Sequence, residues 1–355
     1  MDTLVDYLLR IKNLSFRQEK LNELDVAFLT MMTYGKFEKL GIFSIKLKNI
    51  PYKILLEQVH TFENICHFGE DFNLANYIKT SKRYRNIRVS NVSARFSSKK
   101  GEQFLGVSYR IARGRYLIAY RGTDGTKTGW RENLSMSVDV VPAQKSALEY
   151  LHKAMKRHPL SKFIITGHSK GGNLSYYAML NCSEKEQKRI IRCFNFDGPG
   201  FKETPNISRL NGKGIKLIPQ DSLIGVLLNT TNNYNIVRSE GIRFEQHDVF
   251  NWNIDLPRRC FVRESSRSEF SKNFEAIINK WILSMSVDER RHLIKEISDI
   301  VDRRTDPKKE TLGEINTKGI IFEAFRRDNH TLRKGISVFG RIYHHHKKDK
   351  KESNR

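Results

Sequence analysis

The stretch KFIITGHSKGGNLSYYAML, from Lys162 to Leu180, decides the fold. Its first residues have the character of a buried strand, and the residues after Gly-His-Ser-Lys-Gly have the character of a helix. A G-x-S-x-G pattern between a strand and a helix predicts a nucleophile elbow, a sharp turn that exposes a serine. The alternative is a phosphate-binding glycine loop, but the G-x-x-x-x-G-K-[ST] spacing is missing. The pattern therefore predicts Ser169 as a nucleophile.

Strand and helix patterns alternate on both sides of this turn. Residues 102–111 and 115–123 have the pattern of two strands joined by a turn, and residues 141–159 that of an amphipathic helix. Near-continuous apolar strands separated by helices indicate a mostly parallel central sheet flanked by helices. A nucleophile elbow in such a sheet is typical of the α/β-hydrolase fold. The sequence predicts a helical N-terminal segment packed on the core (1–85) and an α/β core (86–264). A helical C-terminal segment (265–340) and a basic disordered tail (341–355) follow.

Composition narrows the class of partner and the compartment. The net charge of +24 is compatible with an anionic partner such as an anionic membrane surface, and nucleic acid is not expected. The alternative is a basic composition without a specific partner, which the spread of the basic residues along the chain favours. Four cysteines without metal-site or disulfide spacing, no signal-peptide pattern and no long apolar run predict a cytoplasmic protein. No metal or organic cofactor is expected, and the oligomeric state is not predicted.

A serine nucleophile needs a histidine base, which in this fold follows the serine and an acid in the chain. Three downstream histidines precede the tail: His247, His292 and His330. His292 and His330 fall in charged helical segments beyond the predicted sheet, whereas His247 follows the last predicted strand. The chain order therefore favours His247.

Two aspartates compete for the role of the acid that orients the histidine. Asp221 follows the strand GIKLIP, a common position for the acid, and is favoured. Asp197 ends the preceding strand and is the alternative, although Asp-Gly-Pro-Gly is also ordinary turn chemistry. Asp248 adjoins the histidine and is expected to point away from it.

The oxyanion of an ester reaction needs backbone donors near the serine. The helix that follows Ser169 directs its free amides toward the serine oxygen, and the amide of Lys170 is the first of them. The amide of Thr123, in AYRGTDGT after an earlier strand, is the second predicted donor. The next stretch, DGTKTGWRENLSMSVDVV, is either a lid or wall of an acyl pocket or an ordinary packed loop.

Several segments together resemble the bacterial Mbeg-like proteins, a lipase-like domain of unknown function in the α/β-hydrolase superfamily that is similar to class 3 lipases. The resemblance rests on IAYRGTD, GWRENLSMS, ITGHSKGGNLSYYA, FNFDGPGF, IPQDSLIGVLL and QHDVFNW. It implies an oxyanion residue in RGT, the nucleophile in GHSKGG, the acid Asp221 in PQDS and the base His247 in QHD. Lys170 departs from the lipase pattern, where an apolar residue usually follows the serine. We expect the charge of Lys170 to disfavour a hydrophobic acyl chain and to select an anionic substrate.

The sequence thus predicts a serine hydrolase of the lipase or esterase type, acting on a small-molecule or lipid ester. The alternative is a non-catalytic module of the same fold that binds an anionic polymer or membrane surface.

Overall fold

The computed structural model describes residues 2–40, 44–51, 54–55, 73–230 and 233–304. Most strands in these ranges belong to one sheet of 9 strands, and two short strands form a separate hairpin. The strands are β1 (Ile45–Lys46), β2 (Arg88–Ser97), β3 (Glu102–Ala112), β4 (Arg115–Tyr120), β5 (Lys162–His168), β6 (Ile190–Phe196), β7 (Gly214–Pro219), β8 (Asn235–Val237), β9 (Ile254–Asp255), β10 (Cys260–Phe261) and β11 (Arg263–Glu264).

The sheet runs in the order β1-β2-β3-β4-β5-β6-β7-β8-β11. Strands β4 to β8 pair in parallel, whereas β1 to β4 and the edge strand β11 pair antiparallel. The predicted α/β-hydrolase fold is confirmed, with a sheet that is parallel in its centre and antiparallel toward its edges. Because parallel strands end at the same edge, the loops after β5, β6 and β7 meet there.

Helices cover both faces of the sheet. They are α1 (Leu4–Ile11), α2 (Glu23–Met31), α3 (Leu74–Thr80), α4 (Lys127–Ser135), α5 (Pro142–Arg157), α6 (Lys170–Asn181), α7 (Glu184–Gln187), α8 (Glu269–Ser284) and α9 (Val287–Arg304). Pro142 begins α5 at a position where its missing N–H leaves no bond unmade.

Strand β5 shows how the sheet separates two cores. Ile164 belongs to the core formed with the N-terminal helices, whereas Phe163 and Ile165 belong to the core formed with α5 and α6. Successive side chains of a strand point to opposite faces, so the apolar run of β5 fills both cores at once. This double burial holds the turn that follows β5 on a rigid base.

The N-terminal segment is anchored by a buried charged cluster. The guanidinium of Arg83 donates to both carboxylate oxygens of Asp25, and the hydroxyls of Tyr7 and Tyr84 also donate to Asp25. Both charged side chains are fully buried, so the pair compensates charges that would be costly if left alone. Helices α1, α2 and α3 therefore pack as part of the core on one face of the sheet.

Helices α8 and α9 lie within the predicted C-terminal segment, 265–340. The rest of that segment and the predicted tail, 341–355, lie outside the described residues. Within the described ranges, no helix combines the length and the apolar character that crossing a bilayer requires.

Candidate active site

Ser169 lies on the turn between β5 and α6 and has the backbone strain of an elbow. Its φ is 56° and its ψ is −129°, a left-handed conformation that a serine rarely adopts. Such a residue costs on the order of 1–3 kcal/mol, which the surrounding structure must offset. Its backbone amide donates to the carbonyl of Phe196 at 2.9 Å, so the neighbouring strand β6 holds the turn in place.

Glycines make this turn sterically possible. A Cβ on Gly167 would lie well under 3.0 Å from the carbonyl oxygen of Gly171, and a Cβ on Gly171 would lie equally close to that of Tyr120. Neither obstacle can move, because both are backbone atoms of the elbow or of β4. The glycines of the motif therefore let the helix approach the strands closely enough to present the serine.

His247 is paired with Asp197. The two atoms His247 Nδ1 and Asp197 Oδ2 are 2.6 Å apart, and the Asp197 side chain is only 1% exposed. The other oxygen of Asp197 accepts from the Ser222 hydroxyl at 2.5 Å and from the Gly225 amide at 3.1 Å. With Nδ1–H donated to the carboxylate, Nε2 of His247 is the nitrogen left to act as a base.

The structure does not bring Asp221, the favoured acid of the sequence prediction, to His247. The Asp221 carboxylate accepts from Nε2 of Gln246 at 2.9 Å, and its own amide donates back to Oε1 of that glutamine. This reciprocal pair points Asp221 at the residue before His247. The alternative, Asp197, directly follows β6 and is the aspartate that contacts His247.

His168, the residue before Ser169, ties the N-terminal segment to His247. Its Nε2 donates to the His247 carbonyl at 2.7 Å, and because a carbonyl only accepts, its Nδ1 accepts from the Tyr34 hydroxyl at 2.8 Å. Burial and the nearby His247 hold the pKa of His168 well below its usual range, so the ring is neutral. The neutral ring thus fixes the backbone that carries His247. In the sequence, the position of His168 next to Ser169 was the one signal that pointed to this residue.

Thr123 follows a glycine that touches the serine. A Cβ on Gly122 would lie 3.2 Å from Cβ of Ser169, so the chain at Thr123 runs beside the elbow. The Thr123 hydroxyl accepts from Nδ2 of Asn133 at 2.5 Å, a contact that sequence reasoning missed. Among the described residues, the amides of Thr123 and Lys170 donate to no backbone or side-chain acceptor. Both predicted oxyanion donors are therefore available.

The Lys170 side chain points away from the serine, contrary to the expectation that it contacts the substrate. It is 1% exposed, and its ammonium donates to the carbonyl and Oε1 of Gln103 and to Oε2 of Glu132, at 2.7, 2.5 and 2.9 Å. Three acceptors use all three protons of the ammonium. The lysine therefore has no donor left for an anionic substrate.

Comparison with known families places this geometry in context. Residues 78–299, more than half of the chain, match the Mbeg1-like family. The chain belongs to the Mbeg1-like family. This confirms the resemblance seen in the sequence, and Ser169, His247, Asp197 and Thr123 all lie within the matched region. No curated protein sequence matches the chain significantly.

Solved structures similar to this Mbeg1-like protein include fungal lipases. One fungal lipase is 12% identical, with a TM-score of 0.43 over 74% of this chain and 94% of the lipase chain. Rhizomucor miehei lipase in a propeptide complex is 12% identical, with a TM-score of 0.36 over 58% and 68% of the two chains. A lipase from Rhizopus microsporus var. chinensis is 13% identical, with a TM-score of 0.31 over 43% and 63%. The low scores and identities give these likenesses no weight in assigning an activity.

The stretch predicted as a lid or packed loop contains helix α4, which is held in place in this Mbeg1-like protein. Lys127, Thr128 and Glu132 of α4 are buried. From the other side, Arg131 forms an ion pair with Asp302 of α9. The described conformation is therefore that of a packed element.

A cavity of about 250 Å³ lies away from the serine, along the far end of α6. Its walls include Met136, Tyr177, Phe201 and Arg209, and none of Ser169, His247 or Asp197 lines it. It is therefore not the site of the candidate chemistry. No group of three His, Cys, Asp or Glu side chains suited to a metal ion occurs in the described part of the chain.

Lys216 on β7 is a buried cation close to the candidate triad. Its ammonium donates to the Gly225 carbonyl at 2.6 Å. Burial lowers the pKa of Lys216 to about 8. The charges of Asp197 and Glu275 act in the opposite direction, and the charge of Arg267 lowers the pKa further. The unfolded chain therefore keeps this proton to a higher pH than the folded protein does. The free energy of unfolding therefore decreases as the pH falls from about 10.5 to about 8.

Replacing Lys216 with Met is expected to remove this pH dependence. From a pKa of 10.5 unfolded to about 8 folded, the protonated lysine destabilises the protein at pH 7 by up to about 3 kcal/mol relative to high pH. Urea unfolding of wild type and Lys216→Met at pH 7 and pH 10.5 should therefore favour the variant more at pH 7. Lys99→Met, at an exposed position, controls for loss of one positive charge. An equal stability difference at both pH values would contradict the prediction.

Proposed function

We propose that this Mbeg1-like protein is a serine ester hydrolase that uses Ser169, His247 and Asp197. The observation that carries the proposal is the 2.6 Å contact of His247 with the buried Asp197, in a chain whose nearby elbow holds Ser169 at positive φ. His168 links the two parts, since it precedes the serine and donates to the His247 backbone. A strained serine and a carboxylate-oriented histidine are the parts that acyl transfer requires.

In the proposed reaction, Nε2 of His247 takes the hydroxyl proton of Ser169 as its Oγ attacks the ester carbonyl. The amides of Lys170 and Thr123 hold the oxyanion, and the imidazolium returns the proton to the leaving alcohol. Water, activated by the same histidine, then releases the acid. Asp197 orients the imidazole and stabilises its positive charge. No metal is required in these steps.

The proposed substrate is a carboxylic ester, either a small molecule or a lipid. The net charge of +24 supports a peripheral encounter with an anionic membrane surface. The ion-paired Lys170 gives no reason to expect selection for an anionic acyl chain.

A fluorophosphonate probe tests the nucleophile directly. We expect the probe to label wild type, with the adduct on the peptide that contains Ser169, and to leave Ser169→Ala unlabelled, because the phosphonyl group is trapped by the activated hydroxyl. Ser175, a buried serine of the same helix, provides the control, since Ser175→Ala should keep full labelling. Absence of labelling in folded wild type would contradict the proposed hydrolase function and favour the alternative, a non-catalytic binding module.

A further inference from the structure

The Lys170–Glu132 ion pair is fully buried and fully hydrogen-bonded. The two side chains are 1% and 0% exposed. Oε2 of Glu132 accepts from the Gln103 amide at 3.1 Å as well as from Lys170, and Oε1 accepts from the Ala143 amide at 2.8 Å. The carboxylate on α4 therefore joins β3, the first turn of α5 and the first residue of α6.

A buried ion pair by itself adds little to the free energy of unfolding. Taking two charges out of water costs more than apolar packing of the same volume, so a buried ion pair is weak evidence for a stabilising role. The hydrogen bonds of the ion pair are directional, because each has a defined donor and acceptor. They therefore fix α4 against α6. The question is what those two helices carry.

They carry the two sides of the proposed oxyanion hole. The amide of Lys170 is one donor. The residue after Glu132, Asn133, donates to the Thr123 hydroxyl at 2.5 Å and so holds the loop of the second donor. Gln103, the third member of the cluster, also donates to the Gly122 carbonyl at 3.5 Å. Side-chain contacts therefore connect the two donor segments through Lys170, Glu132 and Gln103.

We infer that Lys170 and Glu132 are positioning residues that set the spacing of the two oxyanion donors, Lys170 N–H and Thr123 N–H. This inference rests on the proposed serine-hydrolase function. It also explains why a charged residue follows the nucleophile: the side chain acts through the structure while the backbone of the same residue contacts the oxyanion. The two side chains of the pair do not contact substrate.

The main test is the double variant Lys170→Met/Glu132→Gln, which removes both charges together and leaves an acceptor for the Gln103 or Ala143 amide. Oxyanion donors act on the transition state, so we expect kcat for a short ester to fall about 10–100-fold with KM within about 3-fold of wild type. A rise in KM with unchanged kcat would overturn the inference.

Hydrogen exchange supplies a readout that does not need turnover. Peptides covering 121–135 and 168–173 should exchange at least about 10-fold faster in the double variant, because the contacts that hold both donor segments are gone. Unchanged exchange overturns the inference. If wild type is neither labelled nor active, the proposed function fails, and exchange still decides whether the pair holds these segments together.

A matched control is the buried pair Asp25–Arg83 in the N-terminal segment. Asp25→Asn/Arg83→Met should lower the melting temperature but leave kcat and exchange at 121–135 near wild type; an equal loss of kcat would overturn the inference. If the double variant of the inferred pair does not fold, Glu132→Asp keeps both charges and shortens one arm. We expect its kcat to fall about 3–10-fold at constant KM, and an unchanged kcat would count against the inference.

Discussion

Replacing Asp197 with Asn is expected to lower kcat for an ester by about 10³–10⁴-fold, the loss expected when the histidine of a triad is held in the wrong tautomer. The carboxylate accepts the Nδ1 proton of His247, and an amide that presents its NH₂ there would push the proton to Nε2. A ring protonated at Nε2 cannot accept the proton of Ser169. KM should change little, since Asp197 is 1% exposed and does not meet the substrate.

The matched variant is Asp221→Asn, at the acid that the sequence favoured. Its carboxylate contacts Gln246, so we expect kcat within about 3-fold of wild type. Steady-state kinetics on the same ester, with melting temperatures to verify folding, compare the two variants. If Asp221→Asn proves the more damaging change, the assignment of Asp197 is wrong and His247 must exchange partners during the reaction.

Replacing Gly171 with Ala is expected to destabilise the protein by about 4 kcal/mol or more, at the extreme of single substitutions. The new methyl would overlap the Tyr120 carbonyl oxygen, a backbone atom of the central strand β4. Relief requires moving α6 away from the sheet, which also withdraws the Lys170 amide from the serine. Urea unfolding measures the first effect, and loss of fluorophosphonate labelling measures the second.

Gly114→Ala controls for loss of a glycine without overlap. Gly114 has φ +65° in the β3–β4 turn, and nothing lies within 4 Å of an added Cβ. Its loss should therefore cost only the backbone strain, about 1–2 kcal/mol. Comparable destabilisation by the two substitutions would show that close packing at Gly171 is less strict than its geometry indicates.

Local pattern was enough to locate the elbow and its neighbours. The prediction of a strand, a tight turn and a helix around Ser169 agrees with β5 and α6, because apolar runs and glycine spacing report on local structure. The strand predicted at 102–111 and the helix at 141–159 correspond to β3 and α5 within a few residues. The assignment of Ser169 as a nucleophile stays a prediction.

The acid could not be chosen from the sequence. Asp197 and Asp221 each follow a parallel strand, so both reach the same edge of the sheet. The choice depends on where the loop that carries His247 lies, and in that loop Gln246, rather than His247, contacts Asp221. Local pattern carries no information about such a contact between residues distant in the chain.

The role of the Lys170 side chain was hidden for a similar reason. A charged residue in a glycine motif is normally exposed, and its partner Glu132 lies 38 positions earlier, in a stretch that the sequence left open between lid and packed loop. Burial of both charges becomes apparent only when α4 is placed against α6. The sequence identified the unusual residue but not the direction of its side chain.

The Tyr34–His168 contact has a consequence for where this protein can be divided. Similarity to the family begins at residue 78, yet Tyr34 and much of the apolar cover of one sheet face, including Leu24 and Phe28, come from earlier in the chain. A boundary drawn by homology would cut through a continuous hydrophobic core. The described residues of helices α1 and α2, together with Tyr34, are thus an integral part of the fold and not a detachable appendage.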